Sequence, residues 1–404
     1  MLLLFILIAM TIVTIKIPGT KNIPFYPFIY MLFFVCIPYK LAYKQPTLKT
    51  TAYCWGIIFL WGCLLAFRHG FNSVNFDNLI WTISVFLSCH VLSALMIFKE
   101  RRYWIYRFFV IVTFMIAISG IYEGLTGVYY HETDATYLYQ KTALGFYRPN
   151  TIFYNVNDNA IFATLCLILS SFYPKNPKRL LEYKVVRVLA LILFGANIIM
   201  VDSRGAELAT VAFLTLTYLF YRFNKNVKLV LFLSGIIVLP FLSLILRSEF
   251  LDDGGRWGIW VMSLRTLAST YFLGVGPGEI AWVNLDQNVF ADTYAVHNFI
   301  LELFCDYGII GFSALMVWFV YLIRKGFEMF EKEIDFKMLP AIIAFLLSSI
   351  TCSTLITKGF SLLFFAFIVA EMNRKLLIYQ LLIKHGIIHV QVKKKKKKKK
   401  ITSL

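Results

Sequence analysis

Apolar blocks of about 14 to 25 residues recur along this chain, each bounded by charged or Pro/Gly-rich stretches. A helix needs about 20 apolar residues to cross a hydrocarbon core about 30 Å thick. Twelve spans can be drawn: Leu2–Ile15, Phe25–Tyr39, Thr51–Phe67, Leu79–Phe98, Trp104–Ile121, Asn159–Tyr173, Val185–Val201, Ala206–Tyr221, Leu229–Leu246, Phe299–Ile323, Leu339–Ile356 and Phe360–Ala370. The last two also fit a re-entrant hairpin. Of the 404 residues, 59% are apolar and only 15% charged, against about 25% charged in a soluble domain. That excludes a water-soluble enzyme, a disordered protein and a nucleic-acid-binding module. The fold class is an all-α polytopic membrane protein. The first block lacks a basic lead and an Ala-x-Ala site, so it reads as a span rather than a cleaved signal peptide.

Charge sets the orientation. The net charge is +18, of which eight come from the run Lys393 to Lys400. With the N-terminus inside, the inner segments hold 30 Lys and Arg and the outer ones 10; without the run the ratio is still 22 to 10. Cytoplasmic loops carry the basic excess, so both termini are expected in the cytoplasm. The lysine run reads either as a contact with the anionic inner leaflet, at about 1 kcal/mol per Lys, or as the product of an adenine-rich tract, and the second reading is preferred.

This threading leaves two long outer segments, 123–158 and 247–298, the second between spans nine and ten. Loops of this length are functional or disordered. Trp257–Leu267 has helical character, so the second is expected to form a folded cap. The organisation expected is one integral membrane domain, 1–372, followed by a basic cytoplasmic tail, 373–404.

Four motifs carry chemistry. Asp202-Ser203-Arg204-Gly205-Ala206 lies at the outer start of span eight, where small residues leave room for an anion near backbone N–H groups; Arg204 also fits an interfacial anchor. Gly254-Gly255-Arg256-Trp257-Gly258-Ile259-Trp260 is followed by Arg265, and its glycines free the backbone to aim Arg256. An ordinary interfacial helix would look similar. Gly274-Val275-Gly276-Pro277-Gly278-Glu279 lacks the Lys-Ser/Thr of a P-loop and reads as a tight turn. The sharpest is His297-Asn298-Phe299-Ile300-Leu301-Glu302 with Cys305-Asp306-Tyr307-Gly308-Ile309-Ile310-Gly311. Glu302 and Asp306 share one helix face, and an imidazole takes up a proton near neutrality. The arginines suit a diphosphate, because a guanidinium grips phosphate in a bidentate fork. His297 would then be the base for an attacking hydroxyl.

No metal or other cofactor is expected. His131, Glu132 and Asp134 cluster, as do Asp252 and Asp253, without the spacing of a metal site. The seven cysteines form no Cys-x-x-Cys and read as small buried apolar residues.

Ser203-Arg204-Gly205-Ala206, Gly255-Arg256…Trp260, Gly274-x-Gly276-x-Gly278 and His297-Asn298-x-x-Leu301-Glu302…Gly308-x-x-Gly311 together resemble the O-antigen polymerase and O-antigen ligase family (Wzy/WaaL). The Asn-rich stretch Phe153–Asn159 adds to it, and the matched core covers 150–311. The resemblance implies a GT-C-like, metal-independent glycosyltransferase whose donor is an undecaprenyl-diphosphate-linked glycan. Carried over by motif, Arg204 and Arg256 would hold the diphosphate, with Arg265 nearby. His297 would activate the acceptor, Glu302 would orient that site, and Asn298, Asn157 and Asp158 would border the acceptor. A polymerase is the leading reading, a ligase to lipid A-core the alternative, and a flippase or other transporter the reading from another class. Expected partners are the lipid-linked oligosaccharide, membrane lipids, and the chain-length regulator and flippase of the same pathway, with no nucleic acid.

Overall fold

The computed structural model describes residues 2–13, 24–36, 46–129, 141–153, 155–222, 254–286, 296, 298–349, 359–385 and 387. These form thirteen α-helices: α1 Leu2–Val13, α2 Tyr26–Cys36, α3 Pro46–His69, α4 Ser73–Met96, α5 Lys99–Thr126, α6 Val156–Ser170, α7 Leu180–Val201, α8 Arg204–Arg222, α9 Gly254–Ser269, α10 Ile280–Asp286, α11 Phe299–Glu331, α12 Met338–Ser349 and α13 Gly359–Lys384. No strand occurs among the described residues. Eleven of the twelve expected spans coincide with helices; the ninth, Leu229–Leu246, lies outside the described residues. Five helical segments, those of α3, α4, α5, α7 and α11, are long and apolar enough to cross a membrane.

The centre is α4 against α13, flanked by α2 and α3. Small side chains on α4, among them Ser84, Ser88, Cys89, Ser93 and Ala94, allow close helix approach. Asn373 Nδ2 donates to Ser93 Oγ across that contact at 3.1 Å. Residues 359–373 of α13 are buried on every side, the pattern of a core helix. At the meeting of α3, α11 and α13 the ring centroids of Trp55 and Trp318 lie 5.3 Å apart and those of Trp318 and Phe365 5.1 Å apart. Around this core, α3 exposes Leu60, Leu64 and Phe67 and α7 exposes Leu181, Val188 and Ile192. In water such apolar faces would be an aggregation hazard. In a multi-pass membrane protein they face lipid.

Buried charge pins one end of the bundle. Glu371, on α13 and 1% exposed, meets Arg102 Nε of α5 at 2.5 Å and Arg374 Nη2 at 2.9 Å. Arg102 also donates to the Phe172 carbonyl at 3.3 Å. This ionic anchor carries α13 past the expected end of the last span, Ala370, to Lys384. Removing one partner of such a pair leaves buried charge uncompensated and costs about 3–5 kcal/mol. Glu371→Ala is therefore expected to lower the thermal unfolding midpoint of the detergent-solubilised protein by several degrees; an unchanged midpoint would show that the cluster does not hold the fold.

Candidate active site

Two pieces of structure build the site, one around the α7–α8 turn and one around a break in α11. At the first, α7 ends on Asp202, whose φ of 58° turns the chain in the left-handed region, and α8 starts two residues later at Arg204. Ser203 is buried and Arg204 exposed. The segment 141–153 docks beside this turn. Glu123, fully buried near the end of α5, accepts the amides of Asn150 at 3.1 Å and Thr151 at 2.7 Å. The Tyr147 amide donates to the Gly124 carbonyl at 2.9 Å. Asn159 Nδ2 donates to the Pro149 carbonyl at 3.0 Å. Held this way, Arg148 Nη2 lies 3.7 Å from Asp202 Oδ2, which sets a second guanidinium beside the turn that presents Arg204.

Sequence spacing gave no sign of Arg148, because a lone arginine in a loop has no pattern to read. Nor did it show that Glu123, the expected first residue of the outer loop, lies inside α5, which runs on to Thr126 and ends on Gly127 at φ 70°. Asn155 caps α6, its side chain accepting the Asn157 amide at 2.9 Å. Asp158 is buried in the first turn of that helix. Two of the three residues of the expected acceptor border, Asn157 and Asp158, thus sit at a helix entry beside the Arg148 segment.

At the second piece, α11 is not continuous. Gly308, with φ 60° and ψ −166°, splits it into Phe299–Tyr307 and Ile309–Glu331. The Gly274–Glu279 turn fills the break: the Val275 amide donates to the Cys305 carbonyl and the Gly276 amide to the Asp306 carbonyl, both at 3.0 Å, while the Ile309 amide donates to the Phe272 carbonyl at 2.9 Å. A broken spanning helix is tolerated where the protein satisfies the freed backbone groups, and this turn supplies the partners. Two backbones meet so closely that only glycine fits. A Cβ on Gly274 would stand 2.6 Å from the Asp306 carbonyl oxygen, and one on Gly308 2.2 Å from the Leu273 carbonyl.

The turn is fixed on its other sides as well. Trp61 Nε1 of α3 donates to the Leu273 carbonyl at 3.2 Å. Asn72 and Asn75, at the start of α4, donate to Glu279 Oε1 at 2.5 and 2.7 Å. Asp306 Oδ1 accepts the Ile280 amide at 3.0 Å. Asp306 therefore has a structural partner in α10; Glu302, one turn earlier, is also buried, in the first turn of α11.

The helical stretch expected at Trp257–Leu267 is α9, which packs with α10 on the first half of α11 around Leu267, Val275, Ile280, Val296 and Cys305. Trp260 Nε1 donates to the Val296 carbonyl at 2.7 Å, and Asn298 Oδ1 caps α11 by accepting the Leu301 amide at 3.1 Å. His297 lies outside the described residues, but the chain on both sides of it is anchored, on one side by α9. Arg256 falls in the first turn of α9, one helical turn before Trp260, and Arg265 is exposed further along the same helix. The structure thus brings the arginine helix and the entry to α11 together, and places Arg204, at the start of α8, with Arg148 of the 141–153 segment.

A family model described as O-antigen ligase matches residues 189–316. This stretch is similar to the O-antigen ligase family. The matched region takes in Arg204, Arg256, Arg265, His297, Asn298, Glu302 and the Gly308 break; Arg148, Asn157 and Asp158 precede it. The chain is also similar to the teichuronic acid biosynthesis protein TuaE of Bacillus subtilis (strain 168), at 22% identity over 307 residues, covering 68% of this chain and 61% of that protein. The stretch that matches the O-antigen ligase model therefore holds both the α7–α8 turn and the glycine-spliced break, the two features on which the site is built.

Proposed function

We propose that this chain is a polysaccharide polymerase that transfers a glycan from undecaprenyl diphosphate to a hydroxyl of a new lipid-linked repeat, on the outer face of the bacterial inner membrane. The observation that carries the reading is that one family match spans the arginine turn, the arginine helix and the capped entry to α11. Arg204 and Arg256 hold the diphosphate, with Arg265 beside them. The acceptor hydroxyl attacks the anomeric carbon, the bond from that carbon to the diphosphate oxygen breaks, and undecaprenyl diphosphate leaves with the electron pair. The hydroxyl proton passes to His297, which Glu302 orients, while Asn298, Asn157 and Asp158 border the acceptor. A diphosphate whose charge is stabilised needs no acid to leave, so no metal is invoked. Both termini lie in the cytoplasm, and the chain works with the flippase and chain-length regulator of its pathway.

The family model's own description favours a second reading, ligation of the finished chain to lipid A-core. The surface-polysaccharide gel profile of a deletion strain, complemented with wild type or His297→Ala, separates the two. For a polymerase, the ladder collapses in the deletion to a single repeat on its anchor, and only wild type restores it. Loss of all anchored repeats with long lipid-linked chains accumulating would establish the ligase instead, and an unchanged profile would defeat both.

A further inference from the structure

The described residues enclose a cavity of about 1030 Å³ at the end of the bundle opposite the Arg148–Arg204 turn, between the end of α6, the start of α7, the end of α8 and the α11–α12 turn. The 15 residues of α6 separate the two ends, about 20 Å at 1.5 Å per residue.

Three properties of this cavity converge on one occupant. Its rim carries four cations, Lys175, Lys184, Arg187 and Lys337, against one carboxylate, Asp335. That carboxylate is already engaged by Lys375 and by the amides of Lys337 and Met338 at the start of α12. Next, the hydroxyls of Ser170, Ser171 and Thr217 are buried in the wall with no hydrogen-bond partner, and a buried polar group left unsatisfied is destabilising. Finally, the side walls are apolar and open outward, with Val188, Leu191 and Leu214 exposed along α7 and α8.

We propose that this cavity binds an anionic phospholipid, its phosphate among the four cations and the three hydroxyls and its acyl chains along the exposed faces of α7 and α8. Partnerless hydroxyls among an excess of cations call for phosphate oxygens, and the apolar walls call for chains rather than for free phosphate. Basic pockets between spanning helices on the cytoplasmic side suit such headgroups. Lys337 sits at the same place: its Nζ donates to the Ser171 carbonyl, and burial, with Arg187 adding to it, draws its ammonium down to about 8. The site is separate from the diphosphate site, and its test does not depend on polymerase or ligase activity.

The experiment is native mass spectrometry of the full chain in neutral detergent, titrated with phosphatidylglycerol or phosphatidylcholine. Wild type is expected to prefer phosphatidylglycerol by about tenfold or more. The triple variant Lys175→Gln/Lys184→Gln/Arg187→Gln, altered only at exposed positions, is expected to lose that preference. Thr217→Trp, which fills the cavity and leaves its charge intact, is expected to lose the bound lipid. Equal binding of the two lipids by wild type, or an undiminished preference in both variants, overturns the proposal. Displacement of the lipid by millimolar inorganic phosphate overturns the lipid as the occupant.

Discussion

His297→Ala is expected to slow glycan transfer by about 10²–10⁴-fold, the range for a positioned general base, while the lipid-linked donor still binds. The reason is a division of labour. In the proposed reaction the leaving diphosphate is stabilised by guanidinium groups and departs without protonation, so the proton that must be managed is that of the attacking hydroxyl. An imidazole, ordinarily with a pKa of about 6.5, accepts it best once neutral. The wild-type rate should therefore rise with pH through that region and level off above it, and the limb should vanish in the variant. Arg204→Ala tests the other half of the division. It removes charge stabilisation of the leaving group and is expected to cost about 3–4 kcal/mol of barrier, with weakened donor binding as well. The measurement is transfer in reconstituted vesicles with lipid-linked donor, alongside a donor-binding assay. Normal turnover by His297→Ala sinks the base assignment; lost donor binding in that variant moves His297 from the acceptor side to the donor side.

What sequence could and could not show divides along physical lines. Helices α1 to α8 were legible because each is a local apolar run whose ends carry charge or glycine. The helix at Trp257–Leu267 was legible from its own periodicity and extends to Gly254–Ser269. Tertiary partners were not legible. α5 runs past the expected end of its span because Glu123 is paid for by the amides of Asn150 and Thr151, residues well downstream in the chain. α13 extends to Lys384 because Glu371 meets Arg102, which sequence placed in a loop on another helix's flank. The break in α11 was hidden for the same reason. Phe299–Ile323 reads as one continuous, mostly apolar span, and neither Gly308-x-x-Gly311 nor Gly274-x-Gly276-x-Gly278 says that the two stretches of glycine interlock. The arginines and the histidine stood out by type and spacing, but that Trp260 ties the arginine helix to the residue before His297 needed the fold.

Gly308→Ala is expected to destabilise the protein by about 2–5 kcal/mol, from overpacking and left-handed backbone strain combined, and to abolish transfer. The new Cβ would meet the Leu273 carbonyl carbon and oxygen at 2.2 Å and the Phe272 carbonyl oxygen at 2.5 Å. All three are backbone atoms, so no side chain can rotate away to make room. Relief has to come from parting the two strands of chain, which severs the bonds from Val275, Gly276 and Ile309 and exposes helix carbonyls inside the bundle. The glycine turn would then lose its seat, and with it the packing of α9 and α10 against the first half of α11. The sign of the effect is what tests the break. Were α11 an ordinary continuous helix, alanine in place of an interior glycine would stabilise it by about 1 kcal/mol. Gly195, inside α7 with nothing within 4 Å of its would-be Cβ, supplies that comparison in the same protein. Gly195→Ala should hold or raise the thermal unfolding midpoint, whereas Gly308→Ala should lower it sharply. A Gly308→Ala protein as stable as Gly195→Ala would mean that α11 runs straight through, and that the Gly274–Glu279 turn has no part in placing the site.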